Sequence, residues 1–141
     1  MLSTNTADRT GRQVVEAYYR DMFCQPCLGD ADKKAADLVE PNWVCTPEPI
    51  GGKGAAGLAE TARFFSSFAP DLKYNVQEII EAGNRFVVRS IVTGTPTQPF
   101  FGVQPKAPFK INAVDIHEVS NGKIVSTFRV EDWARAIKQI G

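Results

Sequence analysis

Apolar residues recur at helical spacing in the first half of the chain. Before Pro26 the pattern predicts an amphipathic helix of about three turns, which ends there because proline cannot continue a helix interior. Its apolar face consists of Val14, Val15, Tyr18, Tyr19, Met22 and Phe23. Further helices are predicted over Ala31–Val39 and from Ala55 to Phe68, with a short strand at Trp43–Thr46 and a turn-rich loop at Pro47–Gly54 between them.

The second half of the chain alternates apolar and polar positions, which predicts β-strands. The predicted strands cover Lys73–Glu81, Phe86–Thr95, Phe109–Val119 and Lys123–Val130, and a last helical turn or two follows over Asp132–Ile140. Helices early and antiparallel strands late are typical of an α+β domain. We therefore expect a curved sheet and leading helices to enclose an apolar pocket for a small molecule.

Composition narrows the class of protein. A length of 141 residues suits one domain over the whole chain, with the polar residues 1–9 frayed at its start. Lys plus Arg and Asp plus Glu both count 16, and no basic run exists, which argues against a nucleic-acid partner or an anionic membrane surface. No apolar run is long enough to span a membrane, and the N-terminus does not resemble a signal peptide, so we expect a cytoplasmic protein.

The three cysteines fit a reducing compartment better than a disulfide framework. Cys24 and Cys27 form a C-x-x-C pair at the end of the first predicted helix. A zinc site would need a second ligand pair, and a redox motif would need a helix after it in a thioredoxin-like unit. We interpret the pair as structural.

Four segments together resemble one known family. They are Gly54 with Phe65 and Phe68–Leu72, Gly94-Thr95 with Phe101-Gly102, Asp115–Val119 with Gly122–Val125, and Gln139–Gly141. Their order and spacing resemble the "G…F…FPDL", "GT…F.G", "D-I-x-R-I…G-K-I-V" and "QLG" segments of SnoaL-like polyketide cyclases. The similarity extends over about residues 12–141.

The resemblance implies the fold that this family shares with nuclear transport factor two, ketosteroid isomerase and limonene epoxide hydrolase. In that cone-shaped α+β fold, a bent antiparallel sheet wraps around about three helices and encloses a cavity. Family members act on hydrophobic small molecules without metal or cofactor, usually as homodimers paired through their sheets. Those properties become expectations for this chain.

Asp115 and His117 are the first candidates for chemistry. By alternation, Asp115 shares a strand face with Phe109, Ile111, Ala113 and His117, where a carboxyl is desolvated and can donate a proton or a hydrogen bond. Its position also resembles that of the oxyanion-stabilising Asp of ketosteroid isomerase. The alternative is an edge-strand acid paired with a Lys or Arg. His117, the only histidine, is an acid/base if it faces the cavity, and a surface or dimer-interface residue if it does not; alone it makes no metal site.

Three other polar residues are weaker candidates. Tyr18 lies in a segment that resembles the helix bearing the catalytic Tyr of ketosteroid isomerase, and it either polarises a carbonyl or is a core aromatic. Asp132 has the spacing of a family Asp four residues after an aromatic, and it either lines the pocket or caps the last helix. Arg89 is the expected partner of a buried acid or an anionic substrate, or else forms a salt bridge at a dimer interface.

Two departures from the family bear on mechanism. The family commonly has an Asp after the aromatic that here is Phe128, and this chain has Arg129, so chemistry assigned to that Asp does not carry over. The general-base Asp of the isomerase would fall near Thr46, which cannot take a proton from carbon.

The sequence thus leaves three functions open. The first is a cofactor-free enzyme that cyclises, isomerises or hydrates a hydrophobic carbonyl compound, with Asp115, His117, Asp132 and Tyr18 as catalytic candidates. Its substrate-binding residues would be Trp43, Phe65, Arg89, Phe101 and Phe128, with the core as the alternative place for the aromatics. The second is a non-catalytic binding or association domain. The third is an epoxide hydrolase, which needs an Arg and two acids around one water, with Arg89 as the candidate.

Overall fold

The computed structural model describes residues 10–47 and 52–141. Its elements, in chain order, are α1 (Gly11–Met22), a 3₁₀ helix (Gln25–Asp30), α2 (Ala31–Leu38), β1 (Val39–Thr46), α3 (Gly54–Phe68), β2 (Lys73–Ala82), β3 (Arg85–Gly94), β4 (Phe109–Ser120), β5 (Lys123–Glu131) and α4 (Trp133–Ile140). The residues predicted to fray and the middle of the loop predicted after Thr46 lie outside the described residues. The elements define an α+β domain with a curled, open five-stranded sheet, which confirms the predicted fold class.

The strand order in the sheet is β1-β5-β4-β3-β2. Pairings from β2 to β5 are antiparallel, but β1 runs parallel to β5, so the sheet is mixed where a wholly antiparallel one was predicted. The predicted second helix included Val39, whereas in the structure β1 begins at this residue. Strand β1 lies at the edge of the sheet. Pro41 has no N–H to donate, and an edge strand tolerates that loss.

The first helix begins where its backbone donors are satisfied. The Thr10 hydroxyl accepts a hydrogen bond from the Gln13 amide at 3.1 Å, and the Gln13 side chain accepts one from the Thr10 amide at 2.9 Å. This reciprocal capping box fixes the start of α1. The rotation of α1 that follows directs both Tyr18 and Tyr19 into the core.

The four helices share one apolar core with the inner face of the sheet. Strand β4 shows the alternation clearly, because its inward positions are buried from Phe109 to Val119. A β-bulge in β5 changes the phase of that strand: Val119 pairs with Ile124 and Glu118 pairs with Ser126, which leaves one extra residue in β5. Beyond the bulge, the inward side chains are Thr127 and Arg129, with Phe128 between them facing outward.

The segment after α1 contains a disulfide. The structure joins Cys24 and Cys27, with their Cα atoms 5.2 Å apart, and leaves Cys45 as a buried free thiol. This differs from the expectation that the cysteines stay reduced, because the 3₁₀ turn brings the two side chains together. No helix among the described residues has the length and apolarity to cross a bilayer. A cytoplasmic location stays a prediction.

Candidate active site

Asp115 lies in the middle of the inner face of β4. It is 1% exposed, and the neighbours predicted to share its face, from Phe109 to His117, are all buried. Asp115 and His117 therefore both face the interior, an orientation that the sequence left open. A buried carboxylate needs hydrogen-bond donors, and α1 supplies one from above while β5 supplies one from the side.

Tyr19 connects the two predicted residues. Its hydroxyl donates to Asp115 Oδ2 at 2.5 Å and lies 2.7 Å from His117 Nε2. One phenol proton cannot be given to both groups, so the hydroxyl accepts from His117 while it donates to Asp115. From the sequence, Tyr19 was predicted only as one residue of the apolar face of a helix, without a role in the site.

The proton positions follow from the far end of this chain of hydrogen bonds. Trp43 Nε1 can only donate, and it lies 3.0 Å from Thr127 Oγ1, which in turn lies 2.8 Å from His117 Nδ1. Thr127 accepts from Trp43, so its own proton goes to Nδ1, and His117 carries its proton on Nε2. Burial lowers the pKa of His117 from 6.5 to about 4, although the Asp115 carboxylate opposes the shift. The imidazole is neutral at pH 7.

Arg129 holds the other oxygen of Asp115. Its Nε lies 3.0 Å from Asp115 Oδ1, and its Nη2 donates to the Tyr18 hydroxyl at 2.7 Å. The guanidinium carbon also lies 5.3 Å from the ring centre of Phe23 and 5.8 Å from that of Tyr18, which is within cation–π range. Burial raises the pKa of Tyr18, partly opposed by Arg129, so this phenol stays protonated.

Glu131 is a second carboxylate beside Arg129. Its Oε2 lies 3.7 Å from Arg129 Nε and accepts a hydrogen bond from Tyr74 at 2.6 Å, while its Oε1 accepts one from the Trp133 indole at 2.9 Å. Glu131, Arg129 and Asp115 thus form one connected group. We call the residues of this group and those hydrogen-bonded to it the buried network: Tyr18, Tyr19, Trp43, Tyr74, Asp115, His117, Thr127, Arg129, Glu131 and Trp133.

Asp132, Arg89 and Phe128 are sequence-predicted site residues that lie neither in the buried network nor in a pocket with it. Asp132 caps α4, where it accepts from the Arg135 amide at 3.1 Å, and its side chain is about half exposed. Arg89 was expected either to pair with a buried acid or an anionic substrate, or to form a salt bridge at a dimer interface. It faces outward and bonds Glu78 at 2.8 Å, because alternation puts it opposite to Val88, so it has no buried acid as partner. Phe128 was expected to line the pocket, but the bulge in β5 turns it to the outer face.

The remaining aromatic predictions lie in two places. Trp43 is buried and belongs to the network. Phe65 and Phe101 line an apolar groove of about 730 Å³ between α3 and the loop that follows β3. Phe65 also stacks on Trp133 with ring centres 5.3 Å apart, so a stacked pair connects the groove to Glu131.

Phe101 is held in an unfavourable backbone conformation. Phe100 and Val103 exchange two backbone hydrogen bonds of 3.0 Å, and the two residues between them have φ of 48° and 76°. Glycine accepts positive φ readily, as Gly102 does, but a bulky side chain such as that of Phe101 does so at a cost. Its ring is 66% exposed at the rim of the groove.

Partial signals for the residues that were not predicted are present in the sequence. Tyr19 sits beside Tyr18 on the predicted inner face of α1, and Arg129 was noted only as a departure from the family. Thr127 and Glu131 face inward only because of the bulge. Within residues 10–47 and 52–141, no group of three or more His, Cys, Asp or Glu side chains is arranged to hold a metal.

Solved structures show which class of fold positions this network. The chain is similar to IdmH of Streptomyces antibioticus (21% identity, 94% of this chain and 99% of that chain covered, TM-score 0.77). It is also similar to TsrD of Streptomyces laurentii (19%, 95% and 97%, 0.78) and to a Catenulispora acidiphila protein with a ketosteroid isomerase-like fold (12%, 94% and 95%, 0.76). At these identities the likeness establishes the fold class alone.

The family follows from a separate comparison. The profile of the SnoaL-like polyketide cyclase family matches residues 14–140, which is nearly the whole chain. The chain belongs to this family. A search among curated proteins finds no match.

Proposed function

We propose that this protein is a cofactor-free enzyme that performs acid/base chemistry (cyclisation, isomerisation or hydration) on a hydrophobic carbonyl compound. The observation that carries the proposal is the buried Tyr19 hydroxyl, which lies 2.5 Å from Asp115 and 2.7 Å from His117. A carboxylate, a phenol and a neutral imidazole in contact form a path along which a proton can move. Membership of a family of cyclases supports the same class of reaction.

The roles follow from the hydrogen bonds. Asp115 takes a proton from the carbon next to the carbonyl, and Tyr19 and His117 redistribute the charge that results. The Tyr18 hydroxyl accepts from Arg129, and its own proton has no acceptor in the described part of the chain, so it is available for the carbonyl oxygen. The cation behind that phenol stabilises the negative charge that develops on the oxygen.

Asp115→Asn tests the assignment. We expect the protein to accelerate exchange of the hydrogens beside the carbonyl of 1-tetralone in deuterium oxide, followed by proton NMR. The variant should exchange about 10²–10⁴-fold more slowly, because an amide cannot accept the proton. Asp132→Asn is the matched control, since Asp132 is exposed and caps α4. Equal rates for wild type and Asp115→Asn would contradict the assignment.

The same assay separates the alternatives. Tight binding of ketones with no exchange in the wild type would favour a binding domain. An epoxide hydrolase would open a hydrophobic epoxide to a diol, and the arginine between two acids would be Arg129, which lies between Asp115 and Glu131, instead of Arg89.

We also propose that two copies of the chain pair through the outer face of the sheet. Ile80, Val87, Ile116 and Phe128 form one cross-strand row on that face, and Ile80 and Phe128 are about half exposed. The next row carries the Glu78–Arg89 ion pair. A patch with an apolar centre and both signs of charge beside it can pair with itself around a two-fold axis.

Phe128→Glu tests this pairing. We expect a wild-type dimer and a variant monomer in size-exclusion chromatography with light scattering, because each dimer would bury two uncompensated carboxylates. Phe64→Glu is the matched control, since Phe64 is an equally exposed phenylalanine on α3, away from the sheet's outer face. Dissociation by Phe64→Glu alone, or a monomeric wild type, would contradict the pairing.

A further inference from the structure

Tyr74 crosses the inner face of the sheet to reach Glu131. It starts on the edge strand β2, whereas Glu131 is on β5, and strands β3 and β4 lie between them. Neighbouring strands are about 4.8 Å apart, so the two backbones are separated by three such steps. The hydroxyl nevertheless donates to Glu131 Oε2 at 2.6 Å. The phenol ring therefore occupies the middle of the space between sheet and helices.

Two inner-face rows of the sheet lie on the path of this ring. Val92 and Ile111 stand in the row of Tyr74 itself, and the small residues Ser90 and Ala113 stand in the next row, which ends at Glu131. The Ser90 hydroxyl is buried and has no hydrogen-bond partner among the described residues. Buried hydroxyls without a partner are uncommon because each costs desolvation free energy. The row that ends at Glu131 thus has small side chains and one hydroxyl without a partner among the described residues.

Aromatic rings and a cation surround the same space. The Tyr74 ring centre lies 4.9 Å from that of Phe23 and 6.1 Å from that of Tyr19, and the Arg129 guanidinium carbon is 5.9 Å away. With Glu131 at the hydroxyl end, the enclosure matches a flat ring that carries one hydroxyl donor. We call the space filled by the Tyr74 ring the phenol slot.

A cleft next to Tyr74 has room for its side chain outside the core. Together with Tyr19 it lines a cleft of about 530 Å³ between α1 and β2, which opens to solvent. The backbone beside it is irregular, since β2 has a bulge between Val76 and Glu78. An edge strand with a bulge has fewer ladder hydrogen bonds to hold a side chain inward.

We propose that the phenol slot is a ligand site that Tyr74 closes in the free protein, and that the hydroxyl-bearing ring of a phenol or enol takes the place of Tyr74. The bound hydroxyl donates to Glu131, as the Tyr74 hydroxyl does in the free protein, and the displaced Tyr74 side chain moves into the cleft beside α1. This rests on the proposed function in one respect: the slot puts an enolised ring next to Asp115, which neighbours it through Arg129.

The first test measures binding of 2-naphthol by calorimetry. In Tyr74→Phe the closed state loses its hydrogen bond to Glu131 while the ligand keeps its own, so affinity should rise about tenfold or more. A structural role for Tyr74 would instead leave affinity unchanged or lower it. 2-Methoxynaphthalene, which has no hydroxyl donor, should bind more weakly than 2-naphthol to both proteins. Lys110→Ala should leave 2-naphthol affinity unchanged, because Lys110 is exposed on the outer side of β4.

The second test detects the displacement itself. The chain has three tyrosines, so labelling with 3-fluorotyrosine gives three fluorine NMR lines, and Tyr74→Phe identifies the line of Tyr74 by its loss. Saturation with 2-naphthol should move that line to the position of exposed fluorotyrosine. If Tyr74→Phe folds poorly, wild-type labelling with assignment by the lines of Tyr18→Phe and Tyr19→Phe gives the same readout.

Two results would overturn the proposal. They are absence of 2-naphthol binding, and a Tyr74 line that keeps its buried shift in the saturated complex. Neither result bears on proton transfer, because the proposed function depends on the loss of exchange in Asp115→Asn. Conversely, an Asp115→Asn variant with full exchange activity would leave the binding result standing.

Discussion

Replacing Arg129 with methionine should lower the free energy of unfolding by about 3–5 kcal/mol, because it removes one partner of a buried ion pair. The guanidinium is the cation that neutralises Asp115 and Glu131, and all three side chains are 5% exposed or less. Methionine fills similar volume, so the loss reports charge and hydrogen bonding more than packing. Urea unfolding at pH 7, followed by tryptophan fluorescence, measures it.

The chain offers a matched control for that experiment. Arg89 has the same side chain in an ion pair of 2.8 Å with Glu78, but both partners are about half exposed on the outer face. Solvent screens such a pair, so Arg89→Met should cost less than about 1 kcal/mol. An equal loss of stability in the two variants would show that the buried ion pairs of Arg129 contribute no more to stability than the exposed pair of Arg89.

Acid should destabilise the protein through His117, by about 3 kcal/mol between pH 6.5 and pH 4. The pKa of His117 is lowered to about 4 in the folded state by burial, against 6.5 when the side chain is exposed. Within that window the unfolded chain binds a proton that the folded chain does not, so stability falls as the pH falls. Above pH 6.5 both states are neutral and this contribution is constant.

The measurement compares unfolding free energies of wild type and His117→Gln across that window. Glutamine can keep a donor towards Tyr19 and an acceptor towards Thr127 but does not titrate, so the variant should lack the histidine's share of the slope. Because the chain has one histidine, its imidazole NMR signal can be followed without ambiguity. A midpoint near 6.5 in the folded protein, or equal slopes for both proteins, would disprove the prediction.

Alternation predicted one half of the candidate site and misled about the other. On β4 the alternation is unbroken, so the pattern placed Asp115 and His117 on the same face as their apolar neighbours, and the structure shows that this face is the inner one. The same alternation on β3 places Arg89 on the outer face with Val87. The expectation of a buried partner for Arg89 rested on the free-energy cost of burying an arginine, not on its position in the alternation. The family resemblance predicted the fold, which also follows from the order of helices and strands. It did not predict a buried arginine at position 129.

Strand β5 shows why local pattern was insufficient. Counting in steps of two from buried Ile124 puts Phe128 inside and Arg129 outside, which also agrees with hydrophobicity. The bulge between Ile124 and Ser126 reverses that phase. Its cause is the register with β4, a long-range property that no window of the sequence contains. Tyr74 was missed for a similar reason, since its partner Glu131 lies three strand positions away in the sheet.

The bulge in β5 means that one extra residue decides which side chains of this strand face the interior. Removing one residue there would interchange the two sides of the strand: Phe128 and Val130 would enter the core, and the arginine and glutamate would leave it. The interior would then present apolar side chains in place of Arg129 and Glu131. A gain or loss of one residue in this hairpin would therefore decide whether the interior next to Asp115 is charged or apolar, while every other residue stays the same.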